Sequence, residues 1–288
     1  MNRICWIERV AFAAFTAIVL NSCSVFEPES PAASYIRIDQ FTLLTDSIDQ
    51  GSNSNRITDA WVIYDNEYLG TFPLPAQIPL IGEGNHSIIV KAGIVENGIS
   101  GIRSAYPKYA SFEKSLALTA GNTIPLQPEI RYISSATFPQ IENFDDNSVS
   151  MDTTSNGNTA LLITPANDPN ALEGHSGWVT LDANHSVFEA ASSTPFSLPL
   201  STPSYLELNY KTDCDFTIGV FISTSFSIVK SELIHVIQTD VWKKIYVNLS
   251  TLGGVTTEGI EYKVYLRSVK PPAQAIANLY FDNLKVVY

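Results

Sequence analysis

The side chains that could do chemistry here are four histidines, three cysteines and a surplus of carboxylates, and their spacing excludes most reactions. His86, His175, His185 and His235 are scattered, with none of the H-x-x-x-H or H-x-x-E spacings that bring zinc ligands together. No G-x-S-x-G elbow is present to raise a nucleophilic serine. Cys214 stands between Asp213 and Asp215, whose charges disfavour the thiolate a nucleophile requires. Acidic residues number 29, too many for any pair of them to signal glycoside hydrolysis. No catalytic residue emerges, and the chain reads as a binding protein.

For binding, Trp178 with the nearby His175 is the strongest candidate patch. A sugar ring presents apolar C–H faces that stack on an indole, while polar neighbours read its hydroxyls. The reading the sequence favours for Trp178 is nevertheless that it fills the core as part of a strand over Gly177–Leu181. Trp61 and Trp242 read as core residues.

With 17 basic residues against 29 acidic ones, the formal charge is −12. Such a surface repels phosphate backbones, and no Lys/Arg cluster in the sequence offsets it, so nucleic acid is excluded as a partner. Three cysteines, Cys5, Cys23 and Cys214, supply no disulfide framework. Stability must come from apolar cores, and 45% hydrophobic residues in 288 suffice for two domains of ordinary size.

The first residues form a targeting segment. Arg3 and Arg9 precede an apolar run from Ala11 to Leu20, within the ~7–15 residues of a secretory h-region and short of the ~20 that span a bilayer. Leu20-Asn21-Ser22-Cys23 follows at once. This resembles the lipobox of bacterial lipoproteins, which implies cleavage after residue 22 and acylation of Cys23. One acyl chain anchors marginally, but two or more hold a protein stably on a membrane. Ser24 is not the Asp that retains lipoproteins at the inner membrane, so the resemblance points to the outer membrane. The stretch 23–33, rich in Pro, Ser, Ala and Glu, suits a flexible tether.

Beyond it, short apolar runs separated by turn residues predominate. Ala60–Tyr64, the turn Asp65-Asn66-Glu67 and Tyr68–Gly70 read as a hairpin. Gln77–Ile81, His86–Lys91, Tyr109–Leu118 and Ile124–Leu126 complete a first unit over 34–130. A linker near 128–136 leads to a second unit over 137–288. Its expected strands are Ala160–Ile163, Gly177–Leu181, Tyr205–Tyr210, Asp215–Ile222, Leu233–Gln238, Trp242–Leu249, Glu261–Ser268 and Asn278–Val287. Strands about ten residues apart, with Pro, Gly, Asn and Ser between, predict an all-β chain of two sandwiches.

Asp65–Ile94, with Gly70, Pro73, Gly84, His86, Ile88, Val90 and Gly93, resembles PEGA-like and related Ig-type envelope modules. The continuation Asn97-Gly98-Ile99-Ser100 through Tyr106-Pro107 resembles a segment of lipoproteins from the Bacteroidota. The second unit is similar to the jelly roll of galactose-binding-like and carbohydrate-binding modules. Asn143-Phe144-Asp145-Asp146 opens that frame, Trp242–Leu249 (WKKIYVNL) runs through it, and Leu279-Tyr280-Phe281-Asp282-Asn283-Leu284 closes it.

The second resemblance implies glycan binding, and a structural Ca²⁺ shared by Asp145, Asp146 and Asp282, which would otherwise cap turns. Asp46-Ser47-Ile48 and Asp152-Thr153-Thr154 match a three-residue O-glycosylation pattern and equally mark turns. The expectation is an outer-membrane lipoprotein, Ig/PEGA-like sandwich first and jelly roll second. It binds glycan, or alternatively docks as a structural subunit on an outer-membrane protein.

Overall fold

Alternation of apolar and polar residues dictates strands throughout the part of the chain described by the computed structural model, residues 33–252 and 259–288. The signal segment 1–22, the lipidation candidate Cys23 and all but the last residue of the tether lie outside the described residues.

Ten strands build the first domain: β1 (Ser34–Ile38), β2 (Thr42–Leu43), β3 (Asp59–Tyr64), β4 (Glu67–Pro73), β5 (Ala76–Leu80), β6 (Gly84–Val95), β7 (Arg103–Ala105), β8 (Phe112–Leu118), β9 (Thr123–Leu126) and β10 (Glu129–Ile130). One sheet runs β4-β3-β6-β7 with β8 also on β6; another runs β5-β1-β9, and β10 pairs with β2. The β3–β4 hairpin turns on Asp65 (φ 47°) and Asn66 (φ 67°), both left-handed. Two such residues give the type I′ turn whose twist matches the strands it joins. The inward residues Ile36, Ile38, Val62, Ile78, Ile88 and Val90 meet in one core.

Eleven strands build the second: β11 (Gln140–Glu142), β12 (Met151–Thr153), β13 (Leu162–Ile163), β14 (Gly177–Leu181), β15 (Val187–Ser192), β16 (Tyr205–Thr212), β17 (Phe216–Ser223), β18 (Ile228–Val236), β19 (Thr239–Asn248), β20 (Glu261–Val269) and β21 (Ala277–Val287). They form a jelly-roll sandwich, as expected. The front sheet runs β13-β14-β21-β16-β19, with β11 added to β21, and the back sheet runs β12-β15-β20-β17-β18. Val179, Leu208, Val247, Leu279 and Phe281 of the front meet Phe188, Phe216, Ile218, Val264 and Leu266 of the back. A sandwich of this kind closes on its two inner faces and leaves two outer faces for other work.

Burial along β21 tells what happens to the front face. Its first four residues alternate buried and half-buried, but its last seven are all buried. Burial on both faces means that something covers the far half of the strand, and the cover is the first domain. Tyr205, Tyr246 and Val287 of the front sheet belong to the first domain's core cluster. The Tyr106 ring lies 4.6 Å from Tyr109, 4.9 Å from Tyr205 and 5.1 Å from Tyr246, centroid to centroid. The main chain joins in, since Asn97 N donates to Tyr246 O at 2.8 Å and so occupies the open edge of β19.

Polar groups in this seam are matched to one another. The Glu207 carboxylate accepts from the hydroxyls of Tyr106 (2.8 Å) and Tyr132 (2.9 Å). Lys285 Nζ donates to the carbonyls of Gln50 (2.6 Å) and Ser52 (2.9 Å). Burial alone would raise the Glu207 carboxyl, but the Lys244 and Lys285 ammoniums outweigh it and hold it below its ordinary value. Burial, then the neighbouring Lys244 charge, pushes Lys285 down to about 8.

Two expectations are corrected. Trp61 is not a core residue: it runs out of phase with the buried Ala60 and Val62 and lies on the outer face of β3 against Tyr68, centroids 5.9 Å apart. A side chain at Gly93 would meet its indole nitrogen at 2.7 Å, which is why that position is glycine. Trp242 is likewise half-buried and outside the core, with Nε1 donating to Asn170 O at 3.1 Å. A strand over 187–192 escaped the sequence reading, because in VFEAAS five consecutive residues are buried and the period of two is hidden.

Candidate functional site

Trp178 alternates with Val179 and Leu181, which fill the sandwich core, so its indole stands on the outer face of the front sheet. It is half-exposed. The register sets it directly opposite Leu162 on one side and Tyr280 on the other, and Tyr280 directly opposite Lys211. Leu162, Trp178, Tyr280 and Lys211 therefore form one row across four strands, about 14 Å long at ~4.8 Å per strand. The row crosses the half of the face that the first domain leaves open.

Its partners are hydrogen-bonding groups. Asn278 Oδ1 accepts from Thr180 Oγ1 at 3.0 Å and from Trp178 Nε1 at 3.4 Å. Lys211 Nζ donates to Asn170 Oδ1 at 2.9 Å and lies 5.6 Å from the Tyr280 ring centroid. Burial, then the Asp168 and Asp213 charges, raises the Tyr280 phenol, so it stays protonated. Two aromatic rings, an aliphatic end and a ring of amide, hydroxyl and ammonium groups can hold a ligand with apolar faces and polar edges.

A buried carboxyl lies beside the row, along β21. Asp282, two residues beyond Tyr280, accepts from Ser176 Oγ at 2.7 Å and from Asn283 N at 2.7 Å. Burial raises it to about 7; those hydrogen bonds oppose the rise, and Glu173 and Asp145 add to it. His175 is half-buried, and its Nδ1 lies 2.8 Å from Thr164 O, so Nδ1 carries the proton. The ring is fixed against that carbonyl rather than joined to the indole.

The three carboxylates expected to share Ca²⁺ are divided. Asp145 Oδ1 accepts from His175 N at 3.1 Å and faces the same Gly174–Ser176 turn as Asp282. Asp146 is used within its own turn, accepting from Ser148 N (2.9 Å) and Oγ (2.8 Å). Among the described residues, no group of three or more His, Cys, Asp or Glu side chains is disposed to hold a metal ion.

The outer face of the back sheet carries the half-exposed Phe221, its ring centroid 5.0 Å from that of Tyr265. On the back sheet, Tyr265 is fully buried, with Lys230 Nζ 4.6 Å from its ring centroid. Lys230 and Arg267 in turn pair with the buried Glu189 at 2.5 and 3.2 Å. A cleft of about 500 Å³ opens at the sandwich end between Asp215, His235, Gln238 and Arg267, but its one aromatic, Phe216, is buried.

No family model and no curated protein matches the chain. Solved structures do resemble it. A structure described for the promiscuous specificity of β-sandwich carbohydrate-binding modules has a TM-score of 0.40 at 13% identity, covering 90% of this chain and 99% of that one. A family 61 carbohydrate-binding module with β-1,4-galactotriose has a TM-score of 0.34 at 16% identity, covering 50% and 92%. A family 11 module from Clostridium thermocellum with a mixed-linked tetrasaccharide has 0.34 at 11%, covering 52% and 94%. At such scores no ligand transfers from these proteins to this chain.

Tyr280 and Lys211 were missed in the sequence, although the signal was there. In Leu279-Tyr280-Phe281, a tyrosine between two core residues must point outward.

Proposed function

We propose that this chain is a non-catalytic glycan-binding protein of the cell envelope, contacting its ligand through the row Leu162–Trp178–Tyr280–Lys211. The observation that carries the reading is the pairing of Trp178 with Tyr280 on the uncovered half of the front sheet. An open sheet face with two aromatic side chains suits an extended sugar chain, whose rings stack while amides and Lys211 meet the hydroxyls. Single-site affinity is weak, because a sugar's hydrogen bonds largely replace those it made to water.

The LNSC segment supports anchoring by acyl chains on Cys23 at the outer membrane, and many anchored copies would raise avidity without new contacts. A soluble form displayed multivalently on a glycan array should bind, and Trp178→Ala should abolish the signal with little change in Tm. Loss of the melt instead would reduce Trp178 to a structural residue.

A second reading, docking to an outer-membrane protein, is favoured by one feature. Phe226 (98% exposed), Ile228 (72%) and Val229 (52%) project at the β17–β18 tip, beside the unpaired edge of β18. Absence of glycan binding together with capture of an outer-membrane protein that Phe226→Ser weakens would favour it.

A further inference from the structure

The chain is acidic overall, yet one cavity in it is lined by cations. It lies between the domains, beside the seam, with a volume of about 280 Å³, and Arg56, Arg103, Lys243, Lys244, Tyr210 and Tyr246 contribute to its wall. Among the described residues, no Asp or Glu lines it. Two of the four charges are answered elsewhere: Arg103 pairs with the buried Asp59, and Lys244 lies 2.9 Å from Glu207. Among the described residues, the side chains of Arg56 and Lys243 enter no ion pair and no hydrogen bond.

Arg56 is nevertheless held at the wall, because its backbone N–H donates to Tyr246 Oη at 3.0 Å. Its charge acts on both phenols, opposing the rise that burial imposes on Tyr210 and Tyr246. Arg56 and Lys243, the two without counter-charges, add like charge to this wall, and its partial desolvation strengthens their repulsion. A bound anion removes the penalty, and the unsatisfied ammonium and guanidinium donors make charge-assisted hydrogen bonds to it.

We infer that this interdomain cavity binds a small oxyanion group, a carboxylate, phosphate or sulfate, free or borne on a single acidic sugar residue. The size argues for one residue at most, since the volume falls just below the ~300–1,000 Å³ of ordinary small-ligand pockets. The wall draws on both domains, Arg56 and Arg103 from the first, Lys243 and Lys244 from the second. The anion therefore bridges them and reinforces their docking. This site lies apart from the Trp178 row and does not depend on it.

Isothermal calorimetry on the soluble two-domain protein tests it, with inorganic phosphate, sulfate and glucuronate as probes and neutral galactose as the control. At least one anion should bind, at least about tenfold more weakly at ~0.5 M than at ~0.05 M NaCl as screening sets in. The Arg56→Gln/Lys243→Gln double variant should lose the binding while keeping its circular dichroism. Phosphate or sulfate alone identifies a free anion as the ligand; glucuronate alone identifies an acidic sugar. The single variants serve if the double one does not fold. The inference is overturned if no anion binds, if the variants bind as tightly as the parent, or if galactose binds as well as glucuronate.

Discussion

Glu207 on β16 and Lys244 on β19 lie 2.9 Å apart in the seam between the domains, their side chains 0% and 2% exposed. Each is an outward-facing residue of the jelly roll that would meet water if the second domain stood alone. The first domain supplies the rest of the setting, with Tyr106 and Tyr132 hydroxyls on the same carboxylate. Docking has thus turned a surface ion pair into a buried one.

Removing one member of such a pair leaves a buried charge with no counter-charge. Glu207→Ala should cost about 3–5 kcal/mol, measured by chemical denaturation of the two-domain protein. Replacing both members, Glu207→Leu with Lys244→Met, should cost much less than the single change. A single-variant cost under about 1 kcal/mol would mean that water enters the seam.

Asp282 sets a pH dependence with a definite sign. Its carboxyl is raised to about 7 in the folded protein, against about 3.9 when unfolded. Folding therefore favours the protonated form: the contribution is complete below about pH 4 and lost as pH rises toward 7. Asp282→Asn keeps an acceptor for Asn283 N and cannot ionise. The variant's Tm relative to the parent should climb between pH 4 and 7 and level off above, which differential scanning calorimetry can follow.

Asp65 works in the opposite sense to Asp282, and His86 in the same sense. The His86 Nδ1–Asp65 Oδ2 contact of 2.6 Å raises the imidazole and lowers the carboxyl. Stability from this pair is complete above the ordinary carboxylate range and below the ordinary imidazole pKa; it is lost as pH falls through the lowered carboxyl pKa or rises through the raised imidazole pKa. An NMR titration should give His86 a higher pKa in the parent than in Asp65→Asn.

Gly219 lies beneath the Tyr265 ring, which a methyl group there would strike. Gly219→Ala should destabilise by about 1–3 kcal/mol through overpacking, and Gly219→Ala with Tyr265→Leu should recover part of it. Thermal melts of the two variants check this.

Cys23→Ala should abolish incorporation of labelled palmitate and leave an uncleaved or soluble protein. Unchanged labelling in the variant would exclude acylation at this cysteine.

The sequence by itself determined what is local. Strand periodicity located most strands, and Asp65-Asn66 marked the hairpin turn, because side-chain alternation and left-handed turn residues are set by neighbours along the chain. The same alternation contained the outward direction of Trp178 and Tyr280. It could not say which outward residues would stay exposed, since that depends on where the first domain lies. On one sheet face, Tyr280 ends at solvent while Lys285, five residues later, is sealed among the carbonyls of Gln50 and Ser52. Trp61 and Trp242 went the other way, hydrophobic enough for a core yet set on outer faces by register. The cation-lined cavity was equally hidden, because Arg56 and Lys243 stand 187 positions apart in the chain. Only docking of one domain on the other brings them to a common wall.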